Sequence, residues 1–321
     1  MIDVSVVIVN YFLSDIISQK IDGLLKEDIN SEIIIVDNSV DEKEENSLNK
    51  LSKNKKIKTI INKQNIGFAS ACNQGVAISS GKYVFFLNPD AYIIEGSLEI
   101  LFKFAKELNA DAIGPKIFLD DDMTIPQPPF LPPTPLHVIF HNLFPKFYSK
   151  FWKKYSYKFW NINKPVKMSF LSGAGFLIKK EIARFDERYF MYFEDTDLFL
   201  SLKKTHKKIY FCPYAKIIHM FDLSPSNKKT FFFEKSKRLF YKKNYPHLKR
   251  IINLSEKYRK YYRDKNRIPL KDFNSKLKQN IPVEISINLD FVPFVRTRLN
   301  FKNTPSFIER YRDYLWIRIA E

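Results

Sequence analysis

Four short apolar runs fall within the first ninety positions, and most of them stop abruptly at a polar group. They cover residues 4–10, 33–36 ahead of Asp37-Asn38-Ser39, 58–61, and 84–87 ahead of Asn88-Pro89-Asp90. Runs this short and continuous, rich in Val, Ile and Phe, are what strands buried on both faces require. Stretches of helical character lie between them, roughly 14–27 and 41–54, with a glycine-marked loop entering a helix over 65–79 and an amphipathic helix over 96–108. Strand alternating with helix predicts an α/β fold, a mostly parallel sheet with flanking helices. Ligands of such sheets bind beyond the carboxyl ends of the strands. Position alone therefore makes Asp37-Asn38 and Asn88-x-Asp90 site candidates.

The charge is uneven. The chain carries a net +18, yet residues 1–120 hold 13 Lys against 17 Asp and Glu, a net −4 that leaves +22 for the rest. Arginine is absent before Arg184 and glycine after Gly175. These shifts predict a conventional domain over 1–225 and a basic, helical extension over 226–321; a biased base composition would also enrich Lys, Asn and Ile. Residues 126–135 hold six prolines and read as a surface loop. Residues 228–267 hold 15 Lys and Arg against three acids, interleaved with aromatics. A strand is expected over 283–289 and a helix over 306–319. Two cysteines, Cys72 and Cys212, cannot build a disulfide framework, which fits a reducing cytoplasm. The first apolar run is too short for a signal-peptide core, and no run approaches the length of a membrane span.

Three segments carry chemistry. A carboxylate at a strand end, as Asp90 is, suits a hard divalent cation beside substrate phosphates, although Asn-Pro-Asp is also a common turn. Glu194-Asp195-Thr196-Asp197 follows a strongly aromatic run. Acids emerging from buried aromatics are held rigidly and partly desolvated, as a general base needs to be; acids in a helix's first turn are also what the dipole favours. His219 follows a strand, and with Asp90 it could complete a metal site through a neutral imidazole; a lone histidine is as readily a surface or core residue.

In order along the chain stand Val6-Val7-Ile8-Val9-Asn10-Tyr11, Val36-Asp37-Asn38-Ser39, Asn65-Ile66-Gly67-Phe68 running on to Cys72-Asn73-Gln74-Gly75, and Leu87-Asn88-Pro89-Asp90-Ala91. They continue with Ser172-Gly173-Ala174-Gly175, Phe185-Asp186-Glu187, Phe190 through Glu194-Asp195-Thr196-Asp197, and Pro213-x-Ala215 to His219. Together these pieces, over about residues 3–225, resemble the inverting family 2 glycosyltransferases of the GT-A fold, particularly the rhamnosyltransferase-like branch. The resemblance implies a nucleotide-diphosphate sugar as donor and Mg2+ or Mn2+ as cofactor. It implies that Asp37 and Asn38 meet the base, that Asn10 lies in the same pocket, and that Asn65, Gly67 and Asn73 shape it. Asp90 would be the last acid of the metal-binding motif with Asn88 at its first position, and His219 a second ligand. Gly173-Ala174-Gly175 would lie beside the donor sugar. Asp195 would be the catalytic base, with Glu194 and Asp197 supporting it or contacting acceptor and donor.

The partners implied are a glycan or lipid-linked oligosaccharide acceptor in bacterial surface polysaccharide synthesis, an anionic membrane surface reached through 228–267, and a second copy of the chain, with no nucleic acid. The first donor choice is dTDP-L-rhamnose, then a UDP-sugar. A cytoplasmic enzyme, peripheral on the inner membrane face, follows. Departures from the family pattern are Ala183-Arg184 in place of two glycines, Ser201 in place of an arginine, His206 in place of a glycine, and a glycine-free stretch over 220–224. Two other classes compete: a basic nucleic-acid or membrane-surface binding module, and a nucleotidyltransferase. The latter would want a glycine-rich basic phosphate loop near the first strand, and residues 10–22 offer none.

Overall fold

In the computed structural model, which describes residues 2–128, 131–219, 228–258, 268–269, 281–286, 295–299 and 316–319, each of the four apolar runs is a strand. β1 (Val4–Asn10), β2 (Ser31–Asp37), β3 (Ile57–Ile61) and β4 (Tyr83–Leu87) are joined by α1 (Ser14–Leu25), α2 (Glu42–Leu51) and α3 (Phe68–Ile78). β1 pairs in parallel with both β2 and β4, and β2 with β3. Every residue of β1 and β2 is buried, as helices on both faces require. The chain steps outward from β1 to β3 and then returns to the other flank of β1 at β4. That reversal is a topological switch point, where open α/β sheets leave a crevice. Asn10 ends one flanking strand and Leu87 the other.

The chain continues through β5 (Ala91–Ile93), α4 (Ser97–Glu107), β6 (Ala112–Phe118), α5 (Pro135–Leu143), α6 (Pro145–Trp160), β7 (Val166–Lys167), β8 (Gly175–Lys179), α7 (Glu194–Lys204) and β9 (Ile209–His219). Here the sheet turns mixed. β8 lies antiparallel to β4, and β6 antiparallel to β8. The strand order is β3-β2-β1-β4-β8-β6-β9-β5, with β7 against β9. The α/β layering is as expected, but the parallel arrangement stops at β4. A buried apolar run looks the same in either direction, so residues 175–179 could not disclose their sense. Packing of Phe86 on Phe176 and of Phe176 on Phe199, with ring centroids 5.3 and 4.9 Å apart, joins β4, β8 and α7 in one core.

The last elements are α8 (Lys229–Asn244), α9 (Lys249–Lys257), β10 (Ile268–Pro269), β11 (Ile281–Ser286), β12 (Val295–Leu299) and β13 (Trp316–Ile319). The chain forms two compact units: Met1–Lys116 with Asn163–Asn244, and Ile117–Ile162 with Tyr245–Glu321. This division does not fall at residue 225. It assigns α8 to the first unit and α9 to the second, splitting the basic segment; composition cannot reveal a unit assembled from separated pieces of chain. The second unit holds α5, α6, α9 and an antiparallel sheet ordered β10-β13-β11-β12. The C-terminal region is therefore not helical throughout. β11 overlaps the strand expected over 283–289, and β13 is a strand where the expected helix over 306–319 would end; the remainder of both ranges lies outside the described residues. The proline-rich segment has no regular structure over 131–134. Pro135 then opens α5, where a missing N–H costs nothing, and Thr134 caps the helix. Among the described residues no helix is long and apolar enough to cross a membrane.

Candidate functional site

The ends of β1 and β2 lie side by side, Asn10 in register with Asp37. Both are fully buried, so their polar atoms need partners. The Asn10 amide donates to Asp37 Oδ1 at 2.8 Å and to Glu44 Oε2 at 2.8 Å, while its Oδ1 accepts from Leu13 N at 3.0 Å. Asp37 Oδ1 also accepts from Ser39 N and Oγ. Asp37 Oδ2 is buried and has no partner. One carboxylate oxygen is thus locked in place while the other stays available to a donor. Asn10 itself is engaged inside the protein, where it braces Asp37.

Asn38 continues this frame. Its amide donates to the Gly67 carbonyl at 3.1 Å, and its Oδ1 accepts from Asn62 at 2.9 Å. Gly67 has φ +87°, and a Cβ there would stand 2.7 Å from the Phe190 carbonyl, so only glycine fits. Asn65 accepts from Gly67 N at 2.9 Å and fixes that turn. Asn73 is engaged elsewhere. Its amide donates to the Phe185 carbonyl and Glu187 Oε1, and its Oδ1 accepts from Phe185 N, each at 2.9 Å. It ties α3 to the 185–187 loop.

Beyond β4, Asp90 and His219 meet because β5 and β9 pair Ala91 with His219. His219 Nε2 lies 3.1 Å from Asp90 Oδ1 and 3.4 Å from the Asn88 amide. Asp90 and His219 are both buried. One carboxylate and one imidazole fit a divalent cation that keeps its remaining positions for phosphate oxygens and water. Among the described residues no group of three or more His, Cys, Asp or Glu could hold a metal, so a cation here would lean on its substrate.

The acidic triplet begins α7 after an unusual turn. Tyr192 and Phe193 have φ 70° and 68°, a left-handed conformation costly for aromatic residues. Its supports come from α8. Phe190 stacks on Phe232 at 4.6 Å, Phe193 packs on Phe240 at 5.4 Å, and Ser236 Oγ donates to the Met191 carbonyl at 2.7 Å. The three acids then diverge. Glu194 is buried, and its Oε2 has no partner. Burial, followed by the neighbouring Asp195 charge, raises its pKa. Asp195 is half-buried, and burial raises its pKa as well, opposed by hydrogen bonds from Thr196 and the Gly173 backbone. Thr196 N donates to Asp195 Oδ1 at 2.6 Å. These donors stabilise charge on Asp195, and the orphaned Glu194 oxygen suits a proton.

Asp197 turns the other way. It accepts from Lys243 Nζ at 2.6 Å, Asn244 Nδ2 at 2.8 Å and the Tyr189 hydroxyl at 3.2 Å. Lys243 also reaches Asp186 at 2.7 Å, and the Arg188 guanidinium holds the Asp186 carboxyl well below the usual carboxylate range. Burial, then Asp197, pushes the Tyr189 phenol up, so it stays a donor. Asp197 is an anchor between α7 and α8.

Gly173 and Ala174 link the two chemical clusters. A Cβ on Gly173 would stand 2.5 Å from Asp195 Oδ2. The Ala174 carbonyl accepts from Asn88 N at 3.0 Å. Two consecutive residues thus touch Asp195 and Asn88, whose side-chain amide lies 3.4 Å from His219 Nε2.

Sequence reasoning did not find Glu44, Asn62, Tyr189, Lys243 or Asn244. Glu44 reads locally as a helix-start acid, and Lys243 as one cation among many; nothing near either in sequence signals its partner. Both cysteines are buried and free.

A family model described as glycosyl transferase family 2 matches residues 5–185, more than half of the chain. The N-acetylglucosaminyl-diphospho-decaprenol L-rhamnosyltransferase of Mycobacterium tuberculosis, in strains CDC 1551 / Oshkosh and ATCC 25618 / H37Rv, is 28% identical over 174 residues, 48% of this chain and 56% of the relative. The chain spans about half the length of these curated relatives. The crystal structure of GalNAc-T7 with UDP, GalNAc and Mn2+ superposes with a TM-score of 0.54 at 14% identity, over 80% of this chain and 54% of that one, which shows a shared GT-A fold. The S. aureus TarS 1-349 structure gives a TM-score of 0.47 at 17% identity, over 66% of this chain and 60% of that one.

Proposed function

The chain belongs to glycosyl transferase family 2, and from that premise we propose that it moves a sugar from a nucleotide-diphosphate donor to a hydroxyl of a glycan or lipid-linked acceptor, inverting the anomeric carbon. The observation that carries this reading is that Gly173 abuts the Asp195 carboxylate while the next residue, Ala174, accepts from Asn88, whose amide lies 3.4 Å from His219 Nε2. A sugar lying on those two small residues has a carboxylate base on one side and its diphosphate on the other.

In this mechanism the acceptor hydroxyl gives its proton to Asp195. Its oxygen bonds to the anomeric carbon as the bond from that carbon to the diphosphate oxygen breaks, and the electron pair leaves with the diphosphate. One displacement inverts the centre. Glu194 keeps its own proton and so avoids a second buried negative charge beside the base. Asp37 Oδ2, buried and unpartnered, accepts an N–H from the nucleotide base. Asp90 and His219 would hold Mg2+ or Mn2+, and such a cation neutralises charge on the departing diphosphate. Asp197 takes no part, because its oxygens are already engaged.

dTDP-L-rhamnose is the first donor to test and a UDP-sugar the second. The name of the mycobacterial relative, an L-rhamnosyltransferase acting on a diphospho-decaprenol glycolipid, supports that order and a polyprenyl-diphosphate acceptor. The test is Asp195→Asn. Turnover should fall by about 10²–10⁴-fold, the usual contribution of a general base, with nucleotide-diphosphate binding by calorimetry unchanged. Loss of binding, or retained turnover, overturns the assignment.

A further inference from the structure

Among the described residues, the second unit exposes apolar side chains in a pattern that the proposed chemistry does not use. The inward face of α6 is buried through Tyr148, Ser149, Trp152 and Ser156. Tyr148 and Trp152 pack with Leu131, Phe140 and Tyr155. The opposite face carries Phe147, 63% exposed, and Phe151, 41% exposed, together with exposed Lys150, Lys154 and Lys158. These positions fall at i, i+3, i+4, i+7 and i+11, one side of a helix. Phe144, at the junction with α5, is also exposed. Residues 135–160 contain five lysines and no acid.

α9 repeats the design. Ile252 and Ser255 face inward, Ser255 accepting from Asn142 of α5 at 3.1 Å. Leu248, Ile251, Leu254 and Tyr258 stand outward, 40 to 61% exposed, beside Lys249, Arg250 and Lys257.

We propose that the outer faces of α6 and α9 lie on an anionic lipid surface, the aromatic and aliphatic side chains entering the headgroup–acyl boundary and the lysines meeting lipid phosphates. The chemistry favours this occupant over the others. Phenylalanine flanked by lysine is the composition of an interfacial helix. Leu248, Ile251 and Leu254 are aliphatic and cannot stack on bases, which argues against nucleic acid. A second copy of the same face would set lysine against lysine. α6 lies outside the basic 228–267 segment, and both helices belong to the second unit.

The test uses the full chain and flotation with phosphatidylcholine vesicles, with and without phosphatidylglycerol. Binding should require the anionic lipid and weaken with salt, since each lysine near such a surface contributes roughly fivefold in affinity. Phe147→Ser with Phe151→Ser, and separately Lys150→Glu with Lys154→Glu, should each weaken flotation by at least about tenfold. Phe147, Lys150 and Lys154 are solvent-facing, whereas Phe151 also packs on Tyr148 and Tyr155 with ring centroids 6.0 and 6.1 Å apart. The lysine pair should therefore leave the melting temperature unchanged, the phenylalanine pair should lower it slightly, and neither should change the thermal-shift response to nucleotide diphosphates. The proposal is overturned if the protein does not float with anionic vesicles, if both double variants float like the parent, or if single-stranded RNA displaces the vesicles. It is also overturned if the phenylalanine pair changes only the oligomeric mass. Loss of nucleotide response with intact flotation would instead count against the transferase reading.

Discussion

Replacing Lys243 by Met removes a cation from a buried carboxylate while keeping the apolar stem. Lys243 donates to Asp186 at 2.7 Å and to Asp197 at 2.6 Å. Asp186 keeps the two-nitrogen grip of Arg188, with contacts of 2.6 to 3.1 Å, so little is lost there. Asp197 is 5% exposed, and its Oδ2 would lose its donor; Oδ1 keeps Asn244 and Tyr189. Breaking a fully buried ion pair costs about 3–5 kcal/mol, and leaving one buried acceptor unpaired costs about 1–3 kcal/mol. The Lys243 side chain is 32% exposed, so water re-enters and the lower range applies. We expect a loss of about 2 kcal/mol, a fall in Tm of about 3 °C for a chain of this size. The assay is urea and thermal unfolding of the parent, Lys243→Met, Asp197→Asn and the double variant. Because the two side chains share one contact, the double variant should cost at least about 0.5 kcal/mol less than the sum. Additive effects, or a Lys243→Met cost below about 0.5 kcal/mol, would refute the anchor. If Asp197 served the chemistry instead, Asp197→Asn would abolish turnover at an unchanged Tm.

Glu194→Gln tests the buried acid through pH. Burial raises the folded pKa of Glu194, so between the ordinary carboxylate value and that raised value the folded protein holds a proton the unfolded chain has released. Stability therefore falls as pH rises through this window. The variant should lack that fall, matching the parent in acid and exceeding it in urea midpoint toward alkaline pH; parallel curves would contradict the assignment. Gly173→Ala puts a Cβ 2.5 Å from Asp195 Oδ2, so the carboxylate must swing away. Turnover should drop by about a hundredfold with a small change in Tm, and normal turnover would show that Asp195 is not held against this backbone. Asp90→Asn should shift the Mn2+ titration of nucleotide-diphosphate binding to higher concentration, and an unchanged titration would count against Asp90 as a ligand.

The sequence by itself determined what depends on local pattern. Continuous runs of β-branched or aromatic residues disclosed β1, β2 and β4, because a strand covered on both faces tolerates no polar alternation. Their polar endings marked Asp37 and Asp90, and the aromatic run before Glu194 marked the start of α7. The direction of β8, and with it the mixed sheet, was hidden, since burial is blind to strand sense. The tertiary structure alone decided where polar side chains spend their hydrogen bonds. Asn10, Asn73 and Asp197 carry the same residue types that a ligand pocket would use, but each is consumed by a partner far along the chain: Glu44, Phe185 and Lys243. Asp195 and Asp37 differ from them in what surrounds them: Gly173 leaves room for the Asp195 carboxylate, and Oδ2 of Asp37 has no internal donor. A buried polar atom must be paired, and whether its pair is protein or ligand depends on which segments approach it in three dimensions, which no local periodicity encodes.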